Sequence, residues 1–205
     1  MLLFGLVTGL RERKKAATRA AIHDAAMELF DEQGFSATTI DRIADAADVS
    51  RATVFSYFPS KEDIVFGDAP LAIEALAAAL RERAGGDAGA FGVVRGWLGQ
   101  LAGWLEPGLV LQLRLVREVP VVAARRLQHY GEMERVIADA LADDLGPGRE
   151  LAARLAAASL MAALRIVEES AVAHMEEDGR ALTEPEIAAL LDDAVTFARA
   201  GIAAV

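Results

Sequence analysis

The spacing of apolar residues over residues 11–58 predicts three helices. The first runs from about residue 11 to 33 and carries one apolar stripe with the period of an amphipathic helix, formed by Ile22, Ala25, Ala26, Leu29 and Phe30. Gly34 ends it. Thr39 and Ser50 are typical N-cap residues and begin two short helices, separated by a break at residues 47–49. Pro59 ends the second of these.

Apolar periodicity predicts only helices in the rest of the chain. Ser60, with Asp63 three residues later, begins a long helix that extends to about residue 83. Breaks that contain Gly or Pro separate further helices at about residues 91–104, 109–118, 121–144, 149–178 and 184–203. The predicted fold class is all-α with about nine helices. Residues 11–57 are predicted to form a three-helix N-terminal domain, and residues 60–205 a larger helical domain.

Two short helices joined by a tight turn, behind a longer helix, are the helix-turn-helix arrangement of DNA-binding proteins. The second short helix has a face rich in hydroxyl groups with one guanidinium, formed by Ser50, Arg51, Thr53, Ser56 and Tyr57. Hydroxyl groups bind phosphates, and an Arg can bind guanine O6 and N7 in the major groove. For Arg51, a phosphate contact remains an alternative to a base contact. Lys61 and the basic run at residues 11–19 predict further phosphate contacts.

The net charge of −10 argues against a nucleic-acid binder until its distribution is considered. The run RERKKAATR, residues 11–19, has five positive charges and one negative, and the excess acid lies C-terminal to the helix-turn-helix. Beyond a Debye length of about 8 Å, such acid has little effect on DNA binding. The 205-residue chain has no Cys and three scattered His, so we predict no metal site and no cofactor. No catalytic motif is present, and we expect no enzyme.

The first ten residues, MLLFGLVTGL, are apolar. They are too short to span a membrane, which needs about 20 residues. The positive charges of Arg11 to Lys15 follow this apolar run, whereas the positive charges of a secretory signal precede its apolar run. We therefore predict that residues 1–10 are disordered or a start-site extension, with the natural chain beginning at Val7. We expect a cytoplasmic protein without membrane contact.

The run FSATTIDRIADAADVSRATVFSYFPSKEDIVF resembles the N-terminal domain of TetR-family regulators. The resemblance covers about the first quarter of the chain and implies a three-helix DNA-binding domain followed by a larger helical ligand domain. It also implies a homodimer formed through the last two helices, which binds a double-stranded operator with two half-sites. The family's DNA contacts fall on Thr39, Ser50, Arg51, Thr53, Tyr57 and Lys61.

Two residues depart from the family pattern. Asp48 stands where the turn usually has Gly, but Asp tolerates the left-handed conformation better than most residues. Phe55 stands where many members have a Tyr that contacts phosphate. Ser56 or Tyr57 would then supply the missing hydroxyl group.

A second resemblance concerns a subgroup of the family. The strings RATVFSYFPSKEDIVFGD and LRLVREVPVVAARRL are similar to an actinobacterial subgroup that includes regulators of the mycofactocin system. Some members of this subgroup respond to acyl-CoA. The resemblance implies an acyl-CoA or another apolar small molecule as effector.

Apolar residues of the larger domain are candidates for an effector pocket, with plain core as the alternative: Phe91, Trp97, Leu101, Trp104, Leu111, Leu115 and Met161. The last two predicted helices each carry an apolar stripe. On the last these are Ile187, Leu190, Leu191, Ala194, Val195, Ala198 and Ile202, and on the preceding one Leu151, Leu155, Ala158, Ala162 and Ile166. In a two-fold dimer they would form a four-helix bundle, and in a monomer they would be internal core.

These observations favour a ligand-responsive DNA-binding regulator, a repressor that a small apolar or acyl-type effector releases from its operator. The alternative is an apolar-ligand carrier or sensor that has lost specific DNA binding. Asp48, Phe55 and the net acidity would support that alternative.

Overall fold

The computed structural model describes residues 9–83, 89–101, 107–178 and 182–203. These residues form ten helices and no strand, which confirms the all-α prediction. The helices are α1 (Leu10–Gln33), α2 (Ile40–Ala46), α3 (Arg51–Tyr57), α4 (Lys61–Val65), α5 (Ala69–Glu82), α6 (Gly89–Leu101), α7 (Pro107–Glu118), α8 (Pro120–Leu145), α9 (Glu150–Asp178) and α10 (Glu184–Ala203).

The helix that we predict from Ser60 to about residue 83 is two helices, α4 and α5. Gly67 between them has a φ of +51°, in the left-handed region that glycine adopts without steric cost. Pro70 follows in the first turn of α5, where its missing N–H has no helical partner to lose. The signal for this break, Gly67 and Pro70 three residues apart, is present in the sequence.

The described chain divides into two compact units. The first unit contains the described residues up to Ala72 together with Arg114–Arg126, and the second contains Ile73–Leu113 and the described residues from Leu127 onward. The first unit therefore includes α1 to α4 and also the segment where α7 ends and α8 begins.

The first unit has a core of large apolar side chains from its first four helices and from Phe58, the residue after α3. Seven of them are almost inaccessible to solvent: Ile22, Phe30, Ile43, Val54, Phe58, Ile64 and Val65. The rings of Phe30 and Phe35 lie 5.1 Å apart, so Phe35 folds back onto the apolar stripe of α1. Burying such a side chain contributes about 1.5–3 kcal/mol, and this core fixes α2 and α3 against α1.

The second unit has a larger core, to which α5, α6, α8, α9 and α10 contribute. Its innermost large residues are Leu76, Leu80, Val94, Leu98, Ile137, Leu141 and Leu160. Ala153, Ala156 and Ala157 on α9 are also buried. Because alanine side chains are small, they allow neighbouring helices to approach closely.

Asp144 on α8 joins three elements of the second unit. Its carboxylate accepts a hydrogen bond from the backbone N–H of Ala90 at 2.6 Å, within the first turn of α6. Arg83 donates to it at 2.9 Å and to the carbonyl of Ala140 at 2.8 Å. Partial burial raises the pKa of Asp144, but the N–H of Ala90 and the guanidinium of Arg83 outweigh burial and hold the pKa below its ordinary value.

A lowered folded-state pKa makes Asp144 a source of pH-dependent stability. Its contribution is complete above the unfolded-state pKa of about 3.9 and is lost as the pH falls through the lower folded-state value. We expect Asp144→Asn to lower the free energy of unfolding by about 1 kcal/mol at pH 7, and by much less at pH 3. Urea denaturation at fixed protein concentration measures both values. Asp143→Asn is the matched control, because Asp143 also lies 3.7 Å from an Arg83 nitrogen but is 79% exposed, so its loss should be much smaller. An equal loss for Asp144→Asn at both pH values would contradict the assignment.

Candidate nucleic-acid interface

The turn between α2 and α3 has the hydrogen bonds of a Schellman motif. The N–H of Val49 donates to the carbonyl of Ala44 at 2.9 Å, and the N–H of Asp48 donates to that of Asp45 at 3.2 Å. Asp48 has a φ of +53° and is the one non-glycine residue with positive φ in the described part of the chain. The expectation that Asp48 adopts the left-handed conformation is therefore confirmed.

This conformation makes Asp48 a site of backbone strain. We expect Asp48→Gly to raise the free energy of unfolding by about 1 kcal/mol, because glycine adopts positive φ without a Cβ clash. Urea denaturation measures the change. Asp45→Gly, inside α2, is the matched control and should destabilise by about 1 kcal/mol. A destabilised Asp48→Gly variant would show that the Asp48 side chain stabilises the turn.

Both short helices begin at the predicted caps. The Thr39 Oγ1 accepts a hydrogen bond from the N–H of Arg42 at 3.3 Å, and the Ser50 Oγ accepts one from the N–H of Thr53 at 3.0 Å. The hydroxyl groups of Ser50 and Thr53 lie 2.8 Å apart. Thr39 and Ser50 are both exposed, so their oxygens are engaged with the protein backbone at the surface.

The exposed face of α3 consists of Arg51, Ala52, Phe55 and Ser56. Val54 and the following Phe58 are buried on the opposite side, and the predicted contacts Thr53 and Tyr57 are partly buried at the edges of the face. From the sequence we expect Arg51 and Ser56 to face outward, as they do, but we do not expect Ala52 or Phe55 on this face. Residues 51, 52, 55 and 56 are spaced i, i+1, i+4 and i+5, which puts them on one side of a helix, opposite the buried Val54. This spacing in the sequence identifies Ala52 and Phe55 as exposed.

Arg51 is held at the surface by two neighbours. Its Nη1 donates to both carboxylate oxygens of Asp41, at 3.1 and 3.0 Å, and its guanidinium carbon lies 5.6 Å from the centre of the Phe55 ring. More than half of the Arg51 and Asp41 side chains is exposed. The guanidinium is therefore oriented without being buried.

Lys61 makes contacts inside the first unit. Its Nζ donates to the carbonyls of Phe35 at 2.6 Å and Thr38 at 2.9 Å, and lies 4.1 Å from the centre of the Phe35 ring. Burial lowers the pKa of Lys61, and the carboxylate of Glu62 partly opposes this. Lys61 thus joins the α1–α2 loop to the first turn of α4.

Arg19 is also a structural residue. From the basic run we expect a phosphate contact, but its side chain is only 14 % exposed. Its guanidinium donates to the carbonyls of Tyr57 and Gly67, each at 2.6 Å, and to the carboxylate of Asp68 at 2.7 Å. It also stacks on the Phe58 ring at 4.1 Å. Arg19 therefore connects the C-terminal end of α3 to the α4–α5 turn, and sequence periodicity does not reveal this contact.

Charged side chains fix the other segment of the first unit. Asp63, which is buried, accepts from the Ser60 hydroxyl at 2.7 Å and from Arg125 of α8 at 2.6 Å. Arg114 of α7 pairs with Asp31 of α1. Both pairs join residues far apart in sequence.

The candidate pocket residues are divided between the two units. In the second unit, Trp97 and Met161 are buried in the core, while Phe91 and Leu111 are partly buried. Leu115 is buried in the first unit. Trp104 and the side chain of Leu101 lie outside the described residues. The Trp97 Nε1 is buried and has no hydrogen-bond partner among the described residues.

The last two helices place their predicted stripes differently. On α9, Leu151, Leu155 and Ile166 are exposed. On α10, by contrast, Ile187, Leu191, Val195 and Ala198 are buried in the core of the chain, and its exposed large apolar residues are Leu190 and Phe197. Within the described residues, α9 thus has the uncovered apolar stripe, and most of the α10 stripe is internal core.

No helix in the described ranges is both long and apolar enough to cross a lipid bilayer. Among the same residues, no group of three or more His, Asp or Glu side chains is positioned to bind a metal ion.

Residues 22–66 match the family model described as bacterial regulatory proteins of the tetR family. The transcriptional regulator TcmR of Streptomyces glaucescens is 36% identical over 142 residues, which are 65% of this chain and 63% of TcmR. MftR of Mycobacterium tuberculosis, named for the regulation of mycofactocin biosynthesis, is 43% identical over 56 residues, 27% of this chain and 28% of MftR. The chain thus aligns with less than two thirds of the length of either relative.

Solved structures share the fold over most of the chain. NalD of Pseudomonas aeruginosa, the secondary repressor of a multidrug efflux pump, has a TM-score of 0.60 at 20% identity and covers 89% of this chain and 96% of its own. Thermus thermophilus FadR, a TetR-family repressor in complex with lauroyl-CoA, has a TM-score of 0.51 at 25% identity, with coverages of 89% and 94%. These relatives are regulators by name.

Proposed function

The chain belongs to the TetR family of transcriptional regulators, and from this premise we propose that it is a ligand-responsive, DNA-binding repressor. The observation that supports this most strongly is the exposed face of α3. It presents Arg51 and Ser56 to solvent from a helix whose opposite side is fixed in the core of the first unit. A helix-turn-helix with such a face fits the major groove of DNA. The protein would then act in the cytoplasm, where the DNA is.

We further propose residues 11–57 as the DNA-binding domain and residues 60–205 as the domain for ligand binding and dimerisation. Phosphate contacts are proposed for Thr39 at the cap of α2, Ser50 at the cap of α3, and Thr53 and Tyr57 at the edges of α3. Arg51 and Ser56 are proposed to reach the base edges. Lys61 has two of its three N–H donors on backbone carbonyls, so we assign it a positioning role with at most one phosphate bond. Of the predicted extension, residues 1–10, Gly9 caps α1 and Leu10 is its first residue. Residues 1–8 lie outside the described residues, and their nature as an extension stays a prediction.

The uncovered stripe on α9 supports a homodimer. Leu151, Leu155 and Ile166 lie on one face of a 29-residue helix, and Leu190 and Phe197 add exposed apolar surface on α10. A clustered apolar face of this kind is typical of a protein–protein interface. A two-fold dimer would present two copies of α3, which matches an operator with two half-sites.

We propose that a small apolar or acyl-type molecule binds the second unit and weakens DNA binding. FadR of Thermus thermophilus, of the same fold, is in complex with lauroyl-CoA, which supports an acyl-type effector for this chain. An effector changes operator affinity only if it binds one conformation of the dimer better than the other. The effector would favour a conformation in which the two α3 helices no longer match the operator spacing.

Trp97 is proposed to bind a hydrogen-bond acceptor of the effector. A buried N–H without a partner is destabilising by about 1–3 kcal/mol, and such groups are often retained for a function. We expect Trp97→Phe to keep or raise the free energy of unfolding and to weaken lauroyl-CoA binding about fivefold or more. Titration calorimetry and urea denaturation measure the two effects. Weaker folding with unchanged lauroyl-CoA affinity would instead identify Trp97 as plain core.

Selection from random-sequence DNA, followed by sequencing, tests DNA binding directly. We expect the wild type to enrich an inverted repeat and Arg51→Ala to enrich none. Arg135→Ala is the matched control, because Arg135 also belongs to an exposed Arg–Asp pair, on α8. Failure of the wild type to enrich any sequence, together with tight binding of an apolar ligand, would favour the carrier or sensor alternative.

A further inference from the structure

We propose that Phe55 recognises the C5-methyl group of a thymine in the operator, close to a guanine bound by Arg51, and that Asp41 positions Arg51 for this. The proposal deepens the proposed function and depends on it. It concerns sequence specificity, which the similarity to other proteins does not assign to these residues.

The exposure of Phe55 is the first observation. Its side chain is 43% exposed at the middle of the exposed face of α3, next to Arg51, Ala52 and Ser56. A phenyl ring has no hydrogen-bonding group and gains nothing from a phosphate. In the major groove, the apolar feature of a base edge is the thymine methyl group, which the other three bases lack.

The spacing of Arg51 and Phe55 gives the second observation. Residues i and i+4 on a helix lie about 5–6 Å apart, and stacked bases on one strand are about 3.4 Å apart. Side chains at these two positions therefore reach base pairs no more than about two steps apart. The guanidinium already lies over the ring, at 5.6 Å, so the two side chains form one continuous surface toward the groove.

Asp41 supplies the third observation. Both of its carboxylate oxygens accept from the Nη1 of Arg51, so the Nε and Nη2 donors stay available. A guanidinium fixed in this way loses less side-chain entropy when it binds guanine O6 and N7. Asp41 is thus a positioning residue, and it does not itself contact the base.

Thymine-by-thymine replacement with deoxyuridine tests the methyl contact, because it removes a single methyl group and keeps the base pair. On an operator obtained by selection, we expect each half-site to contain one sensitive thymine. Replacing one of these thymines at a time should weaken wild-type binding about fourfold, the effect of one buried methyl group. Phe55→Tyr, which keeps the ring, should retain this sensitivity. Phe55→Ala should bind more weakly and lose it.

The same operator tests the role of Asp41. Replacing guanine with 7-deazaguanine, one position at a time, should locate the Arg51 contact in the wild type within two base pairs of the sensitive thymine. Asp41→Asn should reduce discrimination of guanine against adenine there and leave the salt dependence and the thymine effect unchanged.

Two results would overturn the inference while DNA binding itself stands. One is a wild type with no deoxyuridine-sensitive position, and the other is a Phe55→Ala variant that keeps the sensitivity. If the wild type selects no sequence at all, the proposed function fails, and the inference fails with it. The two failures are therefore distinguishable at the selection step.

Discussion

Replacing Arg19 with alanine is expected to lower the free energy of unfolding of the first unit by about 2–4 kcal/mol. The variant loses three hydrogen bonds and leaves the carbonyls of Tyr57 and Gly67 without their donor. The carbonyl of Tyr57 is at the C-terminal end of α3, where the helix has no internal donor for it. The C-terminal end of α3, the helix proposed to enter the major groove, then loses its connection to the α4–α5 turn.

Urea denaturation, followed by circular dichroism, measures the loss, and Arg19→Lys separates charge from geometry. Lysine keeps the charge but cannot reproduce the planar fork that reaches two carbonyls and a carboxylate, so we expect most of the loss to remain. Lys15→Ala, at an exposed position on the same helix, is the control and should change stability by less than about 0.5 kcal/mol. Equal effects at positions 15 and 19 would contradict a structural role for Arg19.

The second large effect is expected at the uncovered stripe of α9. Leu155→Arg should convert the proposed dimer to a monomer and raise the dimer dissociation constant at least about a hundredfold, because a two-fold interface would bury the charge twice. Analytical ultracentrifugation over a concentration series measures this. The expected monomer should also bind an operator of two half-sites more weakly.

Leu127→Arg is the matched control for this substitution. Leu127 on α8 is 66% exposed and Leu155 is 54% exposed, so neither change disturbs the core of the chain. We expect the Leu127 variant to remain dimeric. A wild-type monomer, or a Leu155 variant with an unchanged dissociation constant, would remove α9 from the proposed interface.

Features that depend on neighbouring residues could be predicted from the sequence. Thr39 and Ser50 cap α2 and α3 as expected, since a cap bonds to an N–H three residues later. Asp48 takes the left-handed conformation because the turn requires it at that position. The break between α4 and α5 was missed although Gly67 and Pro70 mark it, because the apolar period continues across it.

Features that depend on distant residues could not be predicted in this way. Arg19 is typical of a basic arm in the sequence, but its partners lie 38 to 49 positions away. The pair of Arg114 with Asp31 spans 83 positions. The apolar residues of α10 have the spacing expected of a helix at a dimer interface. Only the packing of α10 against α6 and α9 shows that most of these residues are internal core.

Specific DNA binding through the exposed face of α3 is tested most directly by fluorescence anisotropy with the selected operator, against a scrambled duplex and over a salt series. For 6–10 phosphate contacts in the dimer, we expect operator affinity to fall about 10³- to 10⁵-fold between 50 and 200 mM salt, with tighter binding of the operator than of the scrambled duplex throughout. Equal affinity for the two duplexes at every salt concentration, in a folded and dimeric protein, would contradict the claim.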